Sequence, residues 1–331
     1  MTLLTDTILS ASTSILNLAP CPVIQYRVKK EILLESITFE EERDYQSKIE
    51  ESRHAQALFN EQLPDGSWGR FHSMDSRQRR IIPTTETAVD RAISLGINSN
   101  NPRLQQTRVY IQKIIAGKRP FPDPPEKNDR WLVGMRLFLA STLSKLDPAA
   151  PEVEIEREKW VEIASYAYRS GNYSGSDEDQ AHILIHGVPA GHGYLRINGR
   201  YQLQLIGSKV NSLTQQTGHA LLEWLWNKPE GIGYLCVPLN IPPAFPSSRM
   251  DLWLRSLEIL SHYLPFWVNK GASIIEWLLS QRGENGLWDF GDKPGRTHQL
   301  PLSDHWKTRN FRCIDWSVRV LKILRAYYDH I

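Results

Sequence analysis

Cysteine is scarce. Cys21, Cys236 and Cys313 are the only three in 331 residues, and they lie far apart without zinc or CxxC spacing. An odd, sparse set excludes a disulfide framework and fits a reducing compartment. Charge of one sign is also missing. The chain has 39 Lys and Arg against 37 Asp and Glu, a net charge of +2, so nothing argues for nucleic acid as a partner. No run approaches the roughly 18 apolar residues of a transmembrane helix. The N-terminal MTLLTDTILSASTSILNLAP has no basic segment and carries Asp6, so it does not read as a signal peptide. These absences point to a cytoplasmic protein without a membrane span, with peripheral membrane contact left open. No credible strand run and no linker interrupt the chain.

What is present is helical periodicity and tryptophan, 11 residues of it. Amphipathic segments fall at 2–18, 44–62, 102–116, 152–170, 212–226 and 268–280. Each is followed by a more apolar segment: 20–36, 84–95, 129–145, a part of 177–209, 249–262 and 310–328. Helices apolar around much of their circumference belong inside, and amphipathic ones belong outside. Six such pairs predict an all-α, single-domain (α/α)6 toroid over 1–331, with two concentric helix rings. The stretch 186–204 is the least regular and suits a loop, a short hairpin or a broken helix.

The turns between paired helices carry a repeat. NEQLPDGSWGRF at 60–71 and SQRGENGLWDFG at 280–291 share a polar turn, a Gly, one residue and a Trp. In WNKPEGIGYL at 226–235, Gly233 stands where the Trp would be. The three glycines, Gly66, Gly231 and Gly286, are spaced by 165 and 55 residues, and a fixed period in this range marks a repeat architecture. The pattern Gln62, Gly66, Trp68, and more loosely Gln281, Gly286, Trp288, is similar to the QW motif of the prenyltransferase and squalene oxidase repeat family. The resemblance implies a terpenoid cyclase-like toroid, a central cavity, and an isoprenoid or other apolar ligand. In the turn itself, Gly permits a tight helix exit and Trp packs one helix pair on the next.

Candidate chemistry lies at the starts of the second helix set. Class II terpene cyclases protonate their substrate with an acidic DxDD motif, and Asp177, Glu178 and Asp179 match its first three positions while Gln180 breaks the fourth. The resemblance makes Asp179 the acid, with Asp177 near enough to raise its pKa. The same residues also suit the first turn of a helix capped by serine. Glu86 and Asp90 lie one turn apart and read as an acid/base or ligand-binding pair, or as members of ion pairs. An acid, an Arg and a Trp recur at Asp129–Arg130–Trp131, Arg249–Asp251–Trp253 and Arg312–Asp315–Trp316. Trp131, Trp253 and Trp316 would stabilise a cation through their π faces, with Asp315 beside them, or the trio is a repeated packing unit. His182 and His186 share a helix face but lack a metalloprotease context, and no metal or other cofactor is expected.

Three functions fit these readings: an isoprenoid-binding or class II cyclase-like enzyme, a carbohydrate-active glycosidase or lyase acting on an oligosaccharide, and a non-catalytic binding or scaffold protein. An apolar aromatic lining favours the first. Aromatics with carboxylates and amides favour the second, and a filled interior favours the third.

Overall fold

The computed structural model describes residues 2–331 apart from 76, 78, 79, 210 and 294. The described residues form fourteen α-helices and no strand. In chain order these are α1 (Thr2–Asn17), α2 (Pro22–Arg27), α3 (Phe39–Glu50), α4 (Arg53–Asn60), α5 (Thr85–Ser94), α6 (Pro102–Ile115) and α7 (Trp131–Leu146). They continue with α8 (Pro151–Ala167), α9 (Gly175–His186), α10 (Arg200–Ile206), α11 (Gln215–Asn227), α12 (Ser248–Leu260), α13 (Leu264–Ser280) and α14 (Arg309–Tyr328). A π-turn over Val28–Ile32 extends α2. No helix among the described residues is long and apolar enough to cross a membrane.

The helix boundaries follow local chemistry. Proline opens α2, α6 and α8, where its missing N–H costs nothing. Thr38 and Glu41 form a reciprocal capping box on α3. Ser174, Thr214 and Ser247 cap α9, α11 and α12 with their side chains. The division into amphipathic and buried helices holds at the level of burial. In α3, Ile49 is the one fully buried residue, whereas α7 is buried along most of its length from Gly134 to Leu146. In α14 an almost unbroken run from Cys313 to Leu324 is buried. Within 177–209 the buried helix is the short α10, with Tyr201, Leu203, Leu205 and Ile206 inside. By contrast, α9 leaves Ile183 and Leu184 exposed.

The chain packs as two compact units of interleaved segments. The first comprises residues 1–58, 90–98 and 240–331. Within it α14 packs against α1, α2, α12 and α13. The second comprises residues 59–89 and 99–239, with α7 against α6, α8 and α10, and α8 also against α9 and α11.

Two of the repeated turns, one in each unit, share their geometry bond for bond. Leu63 N–H donates to Ser67 O, and Gly66 N–H to Leu63 O; Gly283 donates to Leu287 O, and Gly286 to Gly283 O. Asp65 and Asn285 accept the amides of Ser67 and Leu287. The amide of Trp68 donates to Thr85 Oγ1 at 3.0 Å, and that of Trp288 to Ser317 Oγ at 2.9 Å. Both indoles are fully buried. This places Arg282, rather than Gln281, in register with Gln62. Gln62 Nε2 donates to the Gly66 carbonyl and to Arg103 O and Thr107 Oγ1 on α6. Arg282 likewise donates to Gly286 O and to Ser10 Oγ on α1. Each long polar side chain thus ties its turn to an amphipathic helix, α6 or α1. Sequence identity at 281 is misleading because Gln281 turns its amide to Ser280 Oγ and leaves the Gly286 carbonyl to Arg282.

The two glycines differ in what surrounds them. Both are left-handed, with φ of +88° at Gly66 and +76° at Gly286. A Cβ on Gly66 would lie 2.6 Å from the backbone of Gln106, while one on Gly286 would meet the movable guanidinium of Arg282 at 3.0 Å. We expect Gly66→Ala to cost roughly 3 kcal/mol or more, from backbone strain plus the clash with α6, and Gly286→Ala about 1–2 kcal/mol. Denaturant midpoints of the two variants check this, and equal losses would contradict it. Trp68→Ala should cost about 3–5 kcal/mol in the same assay.

Candidate functional site

The first turn of α5 builds a cluster of polar and aromatic groups in the second unit. Its exposed amides are capped by the preceding loop: Thr85 N–H donates to Arg70 O and Glu86 N–H to Phe71 O. That docking brings His72 beside Glu86. Asp123, itself buried, holds the loop from the other side. Its carboxylate accepts the amides of Phe71, His72 and Ser73 at 2.6, 2.9 and 2.6 Å.

Four side chains then interlock. Glu86 Oε2 lies 3.0 Å from His72 Nδ1, and Glu86 Oε1 accepts from Tyr201 Oη at 2.8 Å and from Arg200 Nη2 at 3.1 Å. Arg200 also donates to Tyr201 Oη at 2.7 Å. A carboxylate at Nδ1 favours the tautomer with its proton on that nitrogen, which Tyr201 Oη also approaches at 3.2 Å. The imidazole stacks on Phe138 of α7 at 3.8 Å, 12° from parallel. Tyr201 and Tyr234 stand edge-on to it, at 5.6 and 6.0 Å. The Arg200 guanidinium sits 4.5 Å from the Tyr201 ring. Burial pushes the Tyr201 and Tyr234 hydroxyls well up, and the Glu86 charge adds to it, so both phenols stay protonated. Tyr201 is buried, His72 and Arg200 are partly covered, and Tyr234 is 44% exposed. The cluster therefore opens on the Tyr234 side.

Of the sequence candidates, Glu86 is the one this cluster uses. Asp179 lacks the property required of a protonating acid. Burial pushes its carboxyl up, but the Arg196 guanidinium at 3.0 Å and the Gly191 amide at 3.1 Å outweigh this and hold it below the usual carboxylate range. Asp177 does not tune it. Asp177 pairs instead with Arg169 on the surface, and its amide receives the Ser174 cap. The buried acid of that run is Glu178, which accepts from Tyr173, Ile197 N–H and Arg196. Asp90 is buried with Arg255 3.7 Å away. Asp315 is fully buried and clamps the amides of Leu302 and Ser303; burial, only partly offset by those amides, raises it to about 6.

The tryptophans divide as well. Trp253 and Trp316 have no accessible surface and pack against Trp277, and against Phe290 and Trp306, respectively. They are core, not lining. Trp131 is half-buried, with Phe121 edge-on at 5.5 Å. The recurring Asp–Arg–Trp trios do not share one arrangement: Asp129 lies 3.7 Å from Arg130 of its own trio, whereas the other two pair elsewhere. Asp251 pairs with Arg319 on α14, and Arg312 makes a bidentate pair with Asp289.

Sequence reasoning missed His72, Asp123, Arg200, Tyr201 and Tyr234. One signal was available: Arg200 and Tyr201 lie in the irregular stretch, and Tyr234 directly follows the Gly that replaces the repeat's Trp.

No group of three or more His, Cys, Asp or Glu among the described residues is placed to hold a metal ion. His182 and His186 pack side by side on Trp160, with ring centroids 5.5 Å apart. A concavity of the same unit, about 510 Å³, lies apart from this cluster, between residues 171–173 and 220–229. Its two rings, Tyr173 and Trp224, stack on each other at 4.0 Å, leaving no slot between them.

Comparison with known proteins returns no match: no family model, no curated protein and no solved structure is similar to this chain.

Burial lowers His182 to about 3, from 6.5 for an ordinary histidine. As pH falls, the unfolded chain therefore takes up this proton before the folded one does. The stabilisation is complete above about 6.5 and is lost between there and about 3. We expect His182→Leu to flatten the fall of Tm between pH 6.5 and 4, measured by calorimetry. An unchanged slope would remove His182 as its source.

Proposed function

We propose that the protein is a carbohydrate-active enzyme of the eliminating kind, acting on a uronate-containing oligosaccharide. The observation that carries this reading is the interlocked His72–Glu86–Arg200–Tyr201 cluster beneath an exposed tyrosine. Glycoside hydrolysis needs two carboxyl groups flanking the bond. Here a single carboxylate is enclosed by three donors and suits orientation rather than attack. Elimination needs one base and one group to neutralise the sugar carboxylate. His72 Nε2 takes the proton beside the carboxylate, and Arg200 stabilises the charge that develops on it. The C–H electron pair becomes the new double bond. The glycosidic C–O bond breaks, its oxygen leaves with a proton from water, and the hydroxide so formed takes the proton held on His72. Glu86 holds the imidazole in the correct tautomer, with Tyr201 and Arg200 fixing Glu86.

A second reading keeps the isoprenoid or apolar ligand. The matching turns at 62–68 and 282–288, offset by 220 residues, favour it because their repeat resembles that of terpenoid toroids. It has lost Asp179 as its acid, so it survives as binding rather than protonation.

Thermal shift with neutral oligosaccharides, oligo-uronates, prenyl diphosphates and squalene separates the readings. A ligand at 100 times its Kd should add about 2.7 kcal/mol. Oligo-uronates should stabilise the protein and yield an ultraviolet-absorbing unsaturated product. His72→Ala should lower kcat roughly 10²–10⁴-fold. Stabilisation by prenyl diphosphates or squalene alone would give the second reading precedence.

A further inference from the structure

The third repeated turn departs from the other two in its closing bond, with Lys228 N–H donating to Leu225 O, and in the place of its aromatic. It keeps the Gly, since Gly231 has φ of +56° and donates to Lys228 O as Gly66 does to Leu63 O. Where Trp68 and Trp288 fill the core, it has Gly233. The aromatic comes one residue later, as Tyr234.

The substitution has a physical consequence. Gly233 pairs with the start of α10: its amide donates to Asn198 O at 2.8 Å, and Arg200 N–H donates to Gly233 O at 3.3 Å. A Cβ on Gly233 would lie only 3.3 Å from the Cα of Gly199, so the approach is a glycine-to-glycine contact. The chain is then forced into left-handed backbone at Tyr234, φ +70°, and again at Cys236, φ +52°. Neither is glycine, so both positions carry strain, and strain of this kind collects at functional sites. Its effect is to set the Tyr234 ring over the cluster, 5.1 Å from Tyr201, 6.0 Å from His72 and 6.0 Å from the Arg200 guanidinium, while 44% of the residue remains exposed. A repeat unit whose aromatic served packing would have buried it, as the other two do.

We propose that Tyr234 is the specificity-determining residue of this site, a platform on which a pyranose ring of the ligand stacks above His72. The inference deepens the carbohydrate reading and rests on it. Open-chain polyenes have no ring to present, so the platform selects against them. The strained strap at 231–237 keeps the ring in place before ligand arrives, so little ordering is left to occur on binding.

Calorimetric titration of the intact protein with a tetra-uronate tests this, using wild type, Tyr234→Phe, Tyr234→Ala and His72→Ala. Stacking needs the ring and not the hydroxyl. Tyr234→Phe should bind within about twofold of wild type, and Tyr234→Ala should bind tenfold or more weakly, a ratio of about 1.4 kcal/mol. His72→Ala should keep binding and lose turnover. Melting curves of Tyr234→Ala confirm that it is folded. Wild-type affinity in Tyr234→Ala, with turnover still dependent on His72, would overturn the platform and leave the enzyme reading standing. Equal loss in Tyr234→Phe would overturn stacking in favour of the hydroxyl. No binding of tetra-uronate by wild type would overturn both.

Discussion

A buried loop amide must find an acceptor, and in this protein aspartates supply it. Asp123 takes three successive amides at 71–73, Asp251 takes those of Arg296 and Thr297, and Asp315 takes those of Leu302 and Ser303. An unpaired buried N–H costs as much as several good contacts contribute, so these long connections can pass through the interior only where a carboxylate waits for them. The candidate site depends on one such clamp. Asp123 fixes the backbone of His72, the first turn of α5 fixes Glu86, and the hydrogen bond between them follows from both.

The first unit shows the same reliance on buried charge in a different form. Arg319 of α14 bonds Asp251 and Glu258 of α12, and Arg255 lies between Glu258 and Asp90. Burial pushes Glu258 up, but Arg319 and Arg255 prevail and hold it below the usual range. Such a network stabilises little beyond an apolar core of equal volume, yet losing one member leaves an uncompensated charge inside. Trp253, Trp277, Phe290 and Trp316 provide the apolar burial around it.

The repeat explains where the site could arise. Two turns commit their aromatic residue to the core, Trp68 and Trp288, each with its amide bonded to a helix hydroxyl, Thr85 or Ser317. The third gives up that packing and turns its aromatic toward His72. Natural sequences break a local rule mostly where function requires it. Here the break is Gly233, and Gly199, within the irregular stretch 186–204, lies against it.

That the chain is helical, and roughly where most helices lie, was legible from the residues alone, because 3.6-residue periodicity and proline, serine or threonine starts are local properties; the break between α3 and α4 inside 44–62, and the two helices α9 and α10 within 177–209, were not. The turn glycines were legible for the same reason: left-handed backbone at Gly66 and Gly286 concerns one residue. Burial class followed from how much of each helix circumference is apolar. The site was not legible beyond Glu86. His72, Asp123, Arg200 and Tyr234 come from four segments up to 162 residues apart, and nothing in any one segment records the others. Asp179 and Asp315 show the same limit from the other side. Both are aspartates near helix starts, yet Arg196 holds one ionised and burial raises the other to about 6. The residue type is written in the sequence; the field that sets its charge exists only once distant chain segments have packed around it.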